Sequence, residues 1–144
     1  MLDTNESLRH QLRKLLRLPA EFDSPKSTET PQKGYLSGTC AELLIGHLPA
    51  TLLRPAGPGP FPTVLYCHAH GGKYDLGRRE LINGAPWMSA PAGPDLLNAG
   101  YAVLCVDMPG FGDREGEGSE SALSKAALLR GQPLFGRMIQ DLMR

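Results

Sequence analysis

The sequence predicts an α/β fold in which an antiparallel hairpin is followed by parallel strands joined by a crossover helix. Three observations predict it. The runs Thr63–Cys67 and Tyr101–Val106 are continuously apolar, as strands covered on both faces of a sheet tend to be. The stretch PDLLN, Pro94–Asn98, lies between them and reads as a short helix stopped by Ala99–Gly100. A strand, a crossover and a second strand imply parallel pairing with a right-handed connection. Ahead of this unit, Thr39–Ile45 and Leu48–Arg54 flank Gly46–His47, a plausible hairpin turn.

The elements follow in order. Asp3–Leu18 reads as an amphipathic helix, because Leu8, Leu12, Leu15 and Leu16 recur at helical spacing. Asp3 and Glu6 fit a capping box, and Pro19 ends the helix. Arg9, Arg13, Lys14 and Arg17 lie largely off the leucine stripe, so the helix is expected to pack on its own domain. Asp3 and Glu6 argue against a mitochondrial presequence. Glu21–Gly34 reads as a connecting loop, and PAGPGPFP, 55–62, must be one, since proline cannot sit in a central ladder. His68–Gly93 is irregular and glycine-rich, and Asp107–Gly118 is a long loop. From Glu120 the pattern is helical, with a break at Gly131–Pro133, after which Phe135, Met138, Ile139, Leu142 and Met143 share one face.

Composition excludes several functions. Lysine plus arginine balance aspartate plus glutamate, 15 against 15, so no electrostatic case exists for nucleic acid or an acidic membrane surface. No stretch is long and apolar enough to span a bilayer. Cys40, Cys67 and Cys105 form no C-x-x-C pair, and Cys67 and Cys105 sit in apolar runs where cysteine acts as a small buried hydrophobe. A reduced, cytoplasmic setting is the expectation.

The segment TVLYCHAHGGK, 63–73, is the most informative. An apolar strand stops at His68-Ala69-His70 and then at Gly71–Gly72. In an open α/β sheet, ligands bind beyond the carboxyl ends of the strands, and the Asp107 loop falls on the same rim. Three chemistries could use such a turn. A metal could be held by His68 and His70, but two ligands are not a site, and His10 and His47 lie in a helix and a turn. A phosphate cradle needs G-x-x-x-x-G-K-[ST], and here Lys73 is followed by Tyr74 with no earlier glycine in place. The third is an oxyanion hole, in which backbone N–H groups hold the tetrahedral oxyanion of acyl transfer, and small residues let the backbone approach the ligand.

The stretches PFPTVLYCHAHGGKYDLGR and AGYAVLCVDMPGFGDREG together resemble the N-terminal half of an α/β-hydrolase, and are most similar to the dienelactone-hydrolase-like and acetyl-xylan-esterase-like subgroup. The resemblance runs from about Leu8 to Arg144. It implies residues 1–20 as an N-terminal amphipathic helix and 21–144 as a partial hydrolase domain ending before the nucleophile elbow. It implies hydrolysis of carboxylic ester or related acyl bonds by a nucleophile–His–acid triad, with no cofactor and no metal. His68-Ala69-His70 matches the family's His-Gly-X turn, with Ala69 in place of glycine. The N–H of His70 is then the oxyanion donor, with Gly71 as the alternative. His68 and Asp107 are implied as loop braces. Tyr74, Arg78 and Arg79 could line the entrance, though solvated loop residues is the blander reading.

The family's nucleophile sits in G-x-S-x-G. Ser37, Ser89, Ser119, Ser121 and Ser124 all lack the flanking glycines, and neither Cys67 nor Cys105 fits the elbow. The chain by itself is therefore expected to be inactive. Its partner in the complete form is a small-molecule ester. The other readings are a non-catalytic interaction module, in which an open sheet edge supports self-association or a partner chain, and a metal-dependent hydrolase using His68 and His70.

Overall fold

The computed structural model describes residues 4–144. The proposed Asp3 cap lies outside the described residues. The elements are helix α1 (Thr4–Leu15), strands β1 (Ser27–Glu29), β2 (Lys33–Tyr35), β3 (Gly38–Ile45), β4 (Leu48–Pro55) and β5 (Thr63–Tyr66), helices α2 (Glu80–Asn83) and α3 (Ala92–Asn98), strand β6 (Ala102–Val106), and helices α4 (Glu120–Leu129) and α5 (Leu134–Leu142). A 3₁₀ turn, Gly77–Arg79, leads into α2, and another, Gly112–Glu117, follows β6.

Contacts divide the chain into two units. One holds the residues up to Ser24 together with Glu117–Arg144, and the other is Pro25–Gly116. The sheet and its rim loops belong entirely to the second. In it β3 and β4 form the expected hairpin, with Ile45 opposite Leu48 and Gly38 opposite Pro55. The order is β1-β3-β4-β6-β5, with β2 also pairing with β3. Strand β6 enters between β4 and β5, antiparallel to the first and parallel to the second. The core under the sheet is Leu53, Leu81, Leu97, Val103 and Cys105. Leu81 and Leu97 come from α2 and α3, so the crossover covers one face of the two strands it connects.

Several expectations need correction. The polar segment Glu21–Gly34 contains β1 and the first two residues of β2, because its backbone pairs with β3 despite its composition. Thr63–Cys67 is not buried on both faces. β5 is the edge strand, its residues alternate between exposed and half-buried, and Cys67 is exposed. By contrast β6 is buried along nearly its whole length, as its composition implies.

In the other unit, Leu8, Leu12 and Leu15 of α1 are exposed rather than packed. The chain just after α1 approaches α5 closely, since a Cβ at Gly136 would collide with the carbonyl of Leu16. Ser119 caps α4 by accepting from Ala122 N–H at 3.3 Å. Phe135 and Met143 of the expected α5 stripe are exposed, while Met138, Ile139 and Leu142 are half-buried. No helix among the described residues is long and apolar enough to cross a membrane.

Candidate active site at the carboxyl rim of the sheet

Parallel strands in register bring their following loops side by side. Tyr66 of β5 lies opposite Cys105 of β6, so the chain leaves both strands at one level. Hydrogen bonds then join the two loops. The Met108 N–H donates to His68 Nε2 at 3.1 Å, and His68 Nδ1 lies 3.2 Å from the Ala69 carbonyl. These partners assign the tautomer: Nε2 accepts, so Nδ1 carries the proton and donates. His68 is 8% exposed, and both of its ring nitrogens are engaged with backbone.

Asp107 is fully buried, at 0% exposure. Its Oδ1 accepts from the Arg78 N–H at 2.7 Å, and its Oδ2 from the Asp113 N–H at 3.0 Å and from the Arg78 guanidinium. Its backbone carbonyl accepts from Arg114 at 3.0 Å. Such close backbone approach needs glycine on both sides. A Cβ at Gly77 or Gly112 would run into the Asp107 carboxylate, and both have positive φ, +50° and +53°.

Arg78 is the residue on which the sequence reading most needs correction. It is 6% exposed, not a solvated loop residue. Besides Asp107 it donates to Glu42 at 2.8 and 3.0 Å and to Asp113 at 2.7 Å. Burial opposes its charge, but Asp113, Glu42 and Asp107 together outweigh that and hold the guanidinium more firmly protonated than usual. The same ion pairs, Arg78 first and Arg79 after it, pull Asp113 below the ordinary carboxylate range. Arg79 is exposed and pairs with Asp113. Thr51 on β4 orients Glu42 with a 3.0 Å hydrogen bond. The network therefore ties β3, β4 and both rim loops.

A second buried carboxylate was not anticipated. Glu80, 2% exposed, accepts from the Tyr66 hydroxyl at 2.7 Å and the Ala69 N–H at 3.0 Å. Burial, and then the Glu80 carboxylate, push the Tyr66 phenol well above its ordinary pKa. Glu80 pins the His68–Ala69 peptide, one residue before His70. The sequence carries no local sign of this, because a glutamate opening a helix reads as a favourable first-turn charge.

His70 and Gly71 stand on the outer part of the turn, both exposed. The His70 ring packs edge-on against Tyr74 at 5.4 Å and Phe111 at 5.4 Å. Phe111 is buried and also contacts the rings of His68 and Tyr74, so it anchors the turn from the β6 side. Tyr74 is half-buried. Gly71 has φ +44°, and a Cβ there would overlap the ring of Trp87. Ala69 is not among the described non-glycine residues with positive φ, which are Arg17 and Leu36, so its methyl group introduces no left-handed strain. Among the described residues no group of three or more His, Cys, Asp or Glu could hold a metal. Two of the serines that lack the elbow glycines have other roles: Ser37 donates to Asn98 at 2.9 Å, and Ser119 is a helix cap.

A hairpin, a parallel strand pair joined by a helical crossover, and two tight loops on the carboxyl rim define the N-terminal part of an α/β-hydrolase fold, the fold of a solved putative acetyl xylan esterase. The particular relatives are these. The chain is 46% identical over 102 residues to the "Putative hydrolase YtaP" of Bacillus subtilis (strain 168), a match covering 68% of this chain and 34% of that protein. The solved structure of a "putative acetyl xylan esterase" from Bacteroides fragilis superposes on 96% of this chain and 40% of its own, with a TM-score of 0.71 and 16% identity. The methylesterase BT1017 superposes on 99% of this chain and 33% of its own, with a TM-score of 0.61 and 17% identity. The chain thus spans about a third of the length of the curated relative it matches. No family model matches it.

Proposed function

We propose that this chain forms the oxyanion-binding part of an α/β-hydrolase that, in its complete form, cleaves carboxylic esters or related acyl bonds. The observation that carries the reading is the His68–Gly72 turn. It is clamped from behind by Glu80 on Ala69 N–H and by Met108 N–H on His68, at the sheet rim where such folds bind ligands.

A serine or cysteine outside this sequence attacks the ester carbonyl carbon. Its proton passes to the triad histidine, and the carbonyl oxygen becomes the oxyanion. The N–H of His70, or alternatively of Gly71, donates to that oxygen. Collapse expels the alkoxide, which takes the proton from the histidine, and water releases the acyl group by the same steps. His68 and Asp107 brace the two loops and touch no reacting atom. The share of this chain is electrostatic: a donor fixed before the reaction costs no reorganisation during it.

The test uses the complete polypeptide isolated from its natural source, with its intact mass measured, against aryl and alkyl acetates. Removing one oxyanion donor costs roughly 100-fold in kcat. His70→Pro deletes the N–H and is expected to show that loss with KM little changed. His70→Ala keeps the N–H and is expected to stay within about threefold of wild type. Equal losses from both, or no ester hydrolysis by the complete protein, would sink the proposal.

One observation favours a second reading. Among the described residues β5 ends the sheet with one side unpaired, and its Leu65 is exposed. Such an edge accepts an added strand from a second copy or a partner chain. A chain that is monomeric at all concentrations in sedimentation, and that protects no β5 amide from exchange in lysate, would remove it.

A further inference from the structure

We infer that Trp87 is the substrate-facing wall of this site, on which a flat ring of the ester stacks. The inference rests on the hydrolase reading and adds the class of group recognised. Trp87 is the sole tryptophan in the chain. Tryptophan buries most of its surface in a typical protein, yet this one is 46% exposed.

Its position is set by backbone. Pro86 and Trp87 are the middle residues of a turn closed by the Met88 N–H donating to the Ala85 carbonyl at 2.9 Å. Proline restricts its own φ and so stiffens the turn that carries the indole. The six-membered end of that indole lies against Gly71, where a Cβ would meet Cη2, Cζ3 and Cζ2. Gly71 is therefore a glycine for two reasons, its φ of +44° and the ring beside it. The indole stands in contact with the very backbone that would hold the oxyanion. With the Gly71 N–H as oxyanion donor, a group attached to the reacting carbonyl would lie beside the indole.

An indole face binds by dispersion and by its quadrupole, and favours flat partners whose C–H bonds or π-system it can cover. A sugar ring and an aryl ring share that chemistry. A short straight-chain group offers too little flat surface. The rings of His70 and Tyr74, edge-on to one another at 5.4 Å, line the same turn and extend the aromatic surface.

The experiment exploits the sole tryptophan, whose fluorescence reports on Trp87 alone. The chain is titrated with methyl xyloside as a sugar ring, benzyl alcohol as an aryl ring, and ethanol as a ringless control. The Gly71 amide resonance is followed in parallel. A saturable change with one ring probe and none with ethanol supports the proposal, and the responding probe identifies the source of the ring. Trp87→Ala, read by the Gly71 amide, is expected to weaken that ring about tenfold, and Trp87→Phe to stay within about threefold. Three results would overturn the inference: no response to either ring, unchanged binding by Trp87→Ala, or acrylamide quenching as weak as for a buried tryptophan, which would mean another segment covers the ring. Binding is read without turnover, so the two readings fail separately. Ring binding with no ester hydrolysis by the complete protein retires the hydrolase reading alone. Hydrolysis indifferent to Trp87→Ala retires this one alone.

Discussion

Replacing Asp107 by alanine tests whether the rim is held by buried charge. The carboxylate has no exposure, and it accepts from the Arg78 N–H, the Asp113 N–H and the Arg78 guanidinium. Alanine leaves two backbone donors without their acceptor and a guanidinium, 6% exposed, short of one of its three carboxylates. Breaking a buried pair by removing one partner costs about 3–5 kcal/mol. Glu42 and Asp113 still neutralise Arg78, so the lower end applies to the charge. Each orphaned buried N–H adds about 1–3 kcal/mol unless water reaches it. A cost of at least about 5 kcal/mol is the expectation, a large share of the roughly 5–15 kcal/mol that stabilises a domain. Urea unfolding followed by circular dichroism measures it, and the melting temperature should fall by roughly 10 °C. Arg79→Ala is the control. Its ion pair with Asp113 is exposed on both sides and should be worth less than about 1 kcal/mol. A loss below about 1 kcal/mol for Asp107→Ala, or an equal loss in both variants, would refute the argument.

The other predictions concern the same rim. Glu80→Ala strips the acceptor from the Tyr66 hydroxyl and the Ala69 N–H and should destabilise by about 2–4 kcal/mol, with faster amide exchange at Ala69. Glu80→Gln keeps an acceptor oxygen and should cost clearly less in the same exchange experiment. Gly71→Ala forces a methyl into the Trp87 ring at positive φ, so the tryptophan emission should shift and stability should drop by about 1–3 kcal/mol. Under native conditions a thiol reagent should label exposed Cys67 first. Cys105, buried and with its thiol pushed up to about 12, should react only on unfolding. Asp113, held low by Arg78, and Glu29, held low by Arg54, have folded pKa values below their unfolded ones. Their contribution to stability is complete above about pH 4 and is lost as pH falls through the folded values, so acid titration of the melting temperature should show a decline confined to that range.

What the sequence determined by itself is local. The Gly46–His47 turn between two strand-like runs places β3, β4 and their hairpin, because neighbouring strands joined by two residues have little choice of partner. The crossover implies the parallel pairing of β5 with β6, and that pairing puts the His68 and Asp107 loops side by side. Only the tertiary structure decided the rest. Thr63–Tyr66 has the composition of a central strand, but β6 enters between it and β4, and no other strand among the described residues pairs with its far side. That choice depends on pairing between β4 and β6, which are distant in the chain. Arg78 and Glu80 read as surface charges on a loop and a short helix. Their burial comes from partners 36 and 29 residues away for Arg78, Glu42 and Asp107, and 14 and 11 residues away for Glu80, Tyr66 and Ala69. Trp87 gains its meaning from Gly71 in the same way. A charge or a ring declares its role through what it faces, and what it faces is set by long-range packing that no local pattern encodes.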